Sequence, residues 1–201
     1  MKKPAFKSLL IFLAAAAVFS SLYFQIPNLR DYDSYFHTKM GQLVMERGIL
    51  YQFPWPQLTF LKDHYVDPYL LFHVYLGLWI KIFPAGPLVA VKLAMAVLLG
   101  LIVGVYFRVV KTFSARWAWL GLALLPAMFP SLTYQRLTYV RPHVASILIL
   151  LLGVGAILKR HWWVLGLLSF LYVYIYSAPH LLPVVAFLAS AVYSAKEKRL
   201  A

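Results

Sequence analysis

Six apolar runs, parted by short basic clusters, limit what this chain can fold into more than any motif does. They lie at about 8–27, 87–107, 117–134, 143–158, 162–177 and 181–195. As helices they approach or exceed the length that crosses a hydrocarbon layer about 30 Å thick. With 63% hydrophobic and 12% charged residues and a mean hydropathy of +0.76, the sequence falls outside the balance of soluble domains. The expected fold is an all-α integral membrane protein of about six transmembrane helices, whose long first extracytoplasmic loop carries two interfacial helices.

A net charge of +13 raises nucleic acid as a partner, but Lys and Arg sit in clusters between apolar runs, not along one face or in a tail. They read as topology signals and as contacts to anionic membrane lipid, and no nucleic-acid partner is expected. The absence of Cys excludes a disulfide framework, a thiolate metal site and a cysteine nucleophile.

The whole of 1–201 reads as one membrane domain: a first span over 1–27, an acidic loop with juxtamembrane helices over 28–86, and about five further spans over 87–201. Lys2, Lys3 and Lys7 precede the first run, as in a signal anchor; a cleavable signal peptide shares that start but needs a small-x-small site that is not evident. Sidedness turns on the second loop helix. If it lies in the interface, Lys2, Lys3, Lys7, Arg108, Lys111, Arg116, Lys159, Arg160, Lys196, Lys198 and Arg199 share the cytoplasmic side with both termini. If it spans, the later clusters invert outward, so the positive-inside rule favours the interfacial arrangement.

Five of the six acidic residues (Asp31, Asp33, Glu46, Asp63, Asp67) and three of the six histidines (His37, His64, His73) fall within 31–73. Ionisable groups near a bilayer are costly and tend to be kept for function, so a polar site at the membrane surface is expected here; an ordinary solvated loop is the alternative. The first loop helix is expected from Ser34 to Arg47, with Asp33 or Ser34 as N-cap and Gly48 past its end. Phe36, Met40, Leu43 and Val44 form its apolar stripe. Asp33, His37, Met40 and Val44 share nearly one row, which turns the acid and the histidine toward the packed face. The second helix is expected from Pro68 to Phe83, with Asp67 at a capping position. Leu71, Val74, Tyr75, Leu78 and Ile82 would form its apolar face, and His73, Gly77 and Lys81 the weakly polar one.

Two basic features share the outer side with this loop. Lys92, one turn into the second span, either snorkels to the interface or takes a paired or phosphate-binding role. In the segment 134–143, which also carries Arg136, Pro142 suits a helix start, and Arg141 and His143 would sit at its mouth, where a helix N-terminus favours anions; interfacial anchoring is the alternative.

A basic N-terminus and one span lead to a loop that opens on Asp33-Ser34-Tyr35-Phe36-His37. The loop leaves its first helix through Gly48-Ile49-Leu50-Tyr51-Gln52-Phe53-Pro54 and enters the second at Asp67-Pro68. This pattern, over roughly residues 1–110, resembles the C-type (GT-C) membrane glycosyltransferase superfamily, in particular the first module of oligosaccharyltransferase catalytic subunits. The resemblance implies transfer of a sugar from a polyprenyl-phosphate-linked donor to a glycan, lipid or protein acceptor, at the extracytoplasmic face of a bacterial inner membrane. It also implies a carboxylate, Asp33 or else Asp31, that orients or deprotonates the acceptor. Lys92, Arg136, Arg141 and His143 would stabilise the departing phosphate. Asp33, His37, Asp63, His64 and Asp67 would offer oxygen and imidazole ligands for Mg²⁺, Mn²⁺ or Zn²⁺. Because the superfamily carries more spans and often an extracytoplasmic C-terminal domain, the chain is expected to be an amino-terminal module, a truncated copy or one half of a split enzyme. Two other classes stand beside this one. A non-catalytic membrane partner or scaffold would leave the acidic loop replaceable. A small transporter or flippase-like protein would show paired, Gly/Pro-broken repeats, of which none is visible.

Overall fold

A computed structural model of the chain describes residues 4–53, 58–128 and 135–200, so Lys2, Lys3, Pro54 and Tyr134 lie outside the described residues. The described residues are all-helical, with no strand among them. The helices are α1 (Pro4–Phe24), α2 (Tyr32–Arg47), α3 (Leu70–Ile82), α4 (Pro87–Lys111), α5 (Ala115–Met128), α6 (Pro142–Leu158), α7 (Trp162–Val173) and α8 (Leu181–Leu200), with a 3₁₀ turn at Phe60–Lys62. Among the described residues, two segments, Phe6–Phe24 and α4, are long and apolar enough to cross a membrane; the other apolar helices are shorter. α7 stops at Val173, short of the 177 expected, and its 12 residues rise only about 18 Å. Just past its end, the Tyr174 carbonyl accepts a hydrogen bond from Leu71 N–H (3.0 Å) at the start of α3.

α4 is the axis of the bundle. Ala90, Val91, Ala94, Met95 and Leu99 are fully or almost fully buried along it, and α1, α3, α5 and α6 pack around it. α1 runs antiparallel to α4 at close range, since a Cβ on Gly100 would stand 2.9 Å from both the Ala16 Cβ and the Phe12 carbonyl oxygen. A second core joins α6, α7 and α8 through Ala156, Ile157, Leu165, Leu168, Tyr172 and Leu182. At one end of the bundle, Ser8, Arg108, Lys111, Lys159 and His161 surround a cavity of about 590 Å³. The opposite end carries α2, α3 and the segment 135–143.

The loop helices reverse one expectation. The residues of α3 that are buried are Phe72, His73, Leu76 and Gly77, while Leu78 and Ile82 of the supposed packing face are 47% and 68% exposed. The reason is steric. Gly41 of α2 and Gly77 of α3 meet backbone to backbone, so a Cβ on Gly77 would stand 2.6 Å from Met45 Cγ and closer still to the Gly41 carbonyl oxygen. Small residues permit this approach where bulky apolar ones would hold the helices apart. The two helices run parallel because the connection 48–69 folds back over α2. Tyr65 packs there with Met40 and Leu43, Tyr65 N–H bonds the Tyr51 carbonyl (2.9 Å), and its ring stacks on Phe53 at 5.0 Å.

Candidate functional site

The N-terminus of α2, Tyr69, the segment 135–143 and the turn at Tyr176 and Ser177 enclose a cleft of about 700 Å³ lined by Asp33, His37, Arg136, Tyr139, Arg141 and His143. Distant parts of the sequence are laced together at its wall. Ser34 Oγ donates to the Asp31 carboxylate and accepts from Val140 N–H at 2.8 Å. Arg141 Nε donates to Asp31 at 2.7 Å, and its Nη2 reaches both Asp31 and, at 2.9 Å, Asp33. The Tyr23 hydroxyl donates to the Leu137 carbonyl (3.0 Å), and His143 Nε2 to that of Arg136 (3.2 Å). Pro142 does open α6, as the sequence implies, which leaves Arg141 at the mouth of that helix.

The expected orientation of Asp33 needs correction. His37, Met40 and Val44 are buried as the shared row requires, but the Asp33 side chain is 60% exposed and that of Asp31 only 14%. At the level of residue 33, α3 has not yet begun, so the first turn of α2 projects past its neighbour into the cleft and toward Arg141. Nor does Asp33 or Ser34 cap the helix: α2 begins at Tyr32, Asp31 flanks it, and that carboxylate makes no capping bond. α3 likewise begins at Leu70 rather than Pro68.

Beneath the cleft floor lies a buried polar chain. Asp67 Oδ1 accepts from Tyr69 N–H at 2.9 Å, and its Oδ2 lies 2.6 Å from His73 Nδ1. His73 Nε2 lies 2.8 Å from His37 Nδ1. His73 is wholly buried, and His37 is 6% exposed and lines the cleft. Burial, followed by the neighbouring His73 and Arg141, pushes the His37 imidazole down to about 3, so it is held neutral. Sequence reasoning placed His37 and Asp67 among metal ligands and gave His73 no role. The missed signal is a repeated His-x-x-x-Gly: His37–Gly41 on α2 and His73–Gly77 on α3. Where two parallel helices touch through glycines, the residues one turn earlier on the same rows must also meet.

The other expected site residues separate. Lys92 neither snorkels nor faces the cleft: it is 3% exposed, and its ammonium donates to the carbonyls of Ile26 and, at 2.9 Å, Pro27, with the Phe24 ring 5.5 Å away. It satisfies backbone carbonyls of the turn that follows α1. Asp63 and His64 are exposed on the connection, away from the buried Asp67 and His37. The five residues offered for a divalent cation therefore do not fit one, and no group of three or more His, Asp or Glu side chains among the described residues is arranged to hold a metal.

Comparison with protein-family models, with curated proteins and with solved structures gives no match for this chain.

Proposed function

We propose that this chain is an integral membrane glycosyltransferase of the GT-C kind, or a module of one. Its cleft would bind a polyprenyl-phosphate-linked sugar and pass the sugar to an acceptor at the outer face of a bacterial inner membrane. The membrane reading is supported by apolar surface that water would not tolerate. The hydrophobic window of α1 is only 11% buried, and Trp163, Phe170, Phe187 and Val192 on α7 and α8 are 60–75% exposed. Six membrane segments, with α2 and α3 in the outer interface and both termini cytoplasmic, put the Arg108, Lys111 and Lys159 end inside, in keeping with the positive-inside rule. The non-helical turn after α7 is acceptable at such depth because it packs on protein.

The observation that carries the catalytic reading is the meeting of two carboxylates with Arg141, beside Arg136 and His143, in one cleft at the end of an apolar bundle. The phosphate of such a donor exchanges its hydration there for charge-assisted contacts with Arg136 and Arg141. Once Arg141 turns to the phosphate, Asp33, the more exposed carboxylate, is released to orient an acceptor. Lys92 has no part in this, being committed to backbone carbonyls. The test is a titration of the purified protein with a polyprenyl phosphate and with the matching neutral polyprenol. Tighter binding of the phosphate, lost in Arg141→Ala and weakened in Arg136→Ala, is expected; equal binding of the two lipids contradicts the reading.

A second reading has one observation in its favour: Arg141 is already satisfied by Asp31 and Asp33, as a structural tie in a scaffold would be. In that case Arg141→Ala lowers stability and leaves lipid binding untouched.

A further inference from the structure

The geometry points to a proton relay, Asp67–His73–His37, that makes His37 Nε2 the proton acceptor for a hydroxyl-bearing acceptor substrate in the cleft. This rests on the reading of the cleft as a transfer site and assigns the acceptor chemistry to a residue set that includes neither Asp31 nor Asp33.

Direction along the relay follows from its fixed end. Asp67, as its carboxylate, only accepts, so His73 Nδ1 carries the hydrogen of the 2.6 Å contact and His73 Nε2 keeps a lone pair. That lone pair accepts from His37 Nδ1–H across 2.8 Å. His37 Nε2 must then be the unprotonated nitrogen of a neutral ring, and it has no hydrogen-bond partner among the described residues, although His37 is buried and lines the cleft. The rings of Phe36 and Phe72, at 5.2 and 5.6 Å, hold the imidazole edge-on between them. The charged and titratable groups around it are Asp31 and Asp33 from the α2 side, Tyr69 and His73 from the α3 side, and Arg141 and His143 from the α6 side.

The step balances as follows. The acceptor oxygen forms a bond to the anomeric carbon while the bond from that carbon to the phosphate oxygen breaks, and its electron pair leaves with the phosphate. The hydroxyl proton goes to His37 Nε2, the His37 Nδ1 proton to His73 Nε2, and the His73 Nδ1 proton to Asp67 Oδ2. A buried imidazolium, which this site disfavours, is never the resting product: one carboxylate is neutralised instead. His37 is the catalytic residue of the relay, and His73 and Asp67 are positioning residues.

Asp67→Asn gives a sharp test, because Tyr69 N–H already holds Oδ1. The asparagine oxygen stays on that N–H, so its NH₂ faces His73 Nδ1. Every bond then reverses, and His37 Nε2 becomes an N–H donor, a wrong tautomer of the kind that disables a carboxylate–histidine pair elsewhere. The measurement is ¹⁵N NMR of histidine-labelled protein in detergent, assigned with His37→Gln and His73→Gln, together with mapping of diethyl pyrocarbonate modification at neutral pH. Expected are unprotonated Nε2 on both rings in the wild type, and protonated Nε2 on both in Asp67→Asn. Modification of His37 should also be largely lost in the variant, since an N–H replaces the lone pair that reacts. A wild-type His37 carrying its proton on Nε2 overturns the proposal, as does an unchanged modification rate in a variant whose tautomers have reversed. Should Asp67→Asn not fold, the wild-type spectrum decides alone. Failure of the transfer reading shows separately, as equal binding of polyprenyl phosphate and polyprenol, with these spectra unaltered.

Discussion

Replacing Gly77 by Ala tests the contact on which the site geometry depends. The new Cβ would stand 2.6 Å from Met45 Cγ and nearer still to the Gly41 carbonyl oxygen, which is backbone and cannot swing aside. Ordinary separations of about 3.5 Å require the helices to part by roughly 1 Å. Carried one turn back along both rows, that displacement takes His37 and His73 from 2.8 Å to about 3.5–4 Å, beyond hydrogen-bond range. Overpacking costs about 1–3 kcal/mol, and orphaning a buried ring nitrogen about 1–3 kcal/mol more. The better helix propensity of alanine returns about 1 kcal/mol, leaving a net loss of about 1–5 kcal/mol, about 3 kcal/mol at mid-range. Gly41→Ala is the internal control, because its Cβ meets Gly77 N, Leu76 Cβ and the His73 carbonyl at 3.1–3.2 Å, where shifts of a few tenths of an ångström suffice. Its net effect should be within about 1 kcal/mol of zero. In thermal unfolding in detergent, Gly77→Ala should melt lower by roughly 5–15 °C and Gly41→Ala by far less, with the His37–His73 bond lost only in the former. Equal Tm values for the two variants would refute the backbone contact.

The neutral, buried His37 also sets a pH dependence. Its pKa near 3 lies below the ordinary 6.5, so between those values the unfolded chain binds more protons than the folded one. Stability is full above about pH 6.5 and falls as pH drops toward 3, by at most about 1.4 kcal/mol per unit; a wild type and a His37→Gln variant losing Tm equally from pH 7.5 to 4.5 would count against this. Lys92→Met should cost about 2 kcal/mol by stranding the Ile26 and Pro27 carbonyls, and polyprenyl phosphate binding should survive it. A double-mutant cycle should couple Arg141 to Asp31 by about 1–3 kcal/mol. The same cycle with the exposed Asp33 should give less than about 1 kcal/mol, and the reverse order would sink the assignment of Asp31 as the structural partner. Single cysteines at Thr112 and Gln135, both exposed, should label from opposite sides of a sealed membrane, Gln135 from outside.

Most of the helices were legible because apolar periodicity and proline or glycine punctuation act locally: Pro87 and Pro142 open α4 and α6, and Gly48 closes α2 with φ 76°. Charge sidedness also put the acidic loop and the 135–143 segment at one end of the bundle, though not in contact. What stayed hidden depends on which face of a helix meets which partner. Hydrophobicity ranks the His73–Gly77 row of α3 below the Leu78–Ile82 row, but inside an apolar assembly small and polar residues form the helix contacts and bulky apolar ones face outward. The fate of Lys92 was invisible for a related reason: its carbonyl partners, Ile26 and Pro27, are set by the antiparallel seating of α1 on α4, a contact between segments more than sixty residues apart. Asp33 lost its packed face because α3 starts too late to cover it, a register no single helix reveals.

The bundle has two places that could attract a lipid phosphate, the cleft at Arg136 and Arg141 and the basic cavity at Arg108, Lys111 and Lys159. Photocrosslinking with a polyprenyl phosphate bearing a diazirine in its first isoprene unit discriminates between them, with cross-linked residues located by peptide mapping. Adducts on 135–143 and 176–177, suppressed by excess polyprenyl phosphate but not by polyprenol, are the result expected of a sugar-transfer cleft. Adducts confined to 105–112 and 151–168 would contradict it and leave the acidic cleft without its donor.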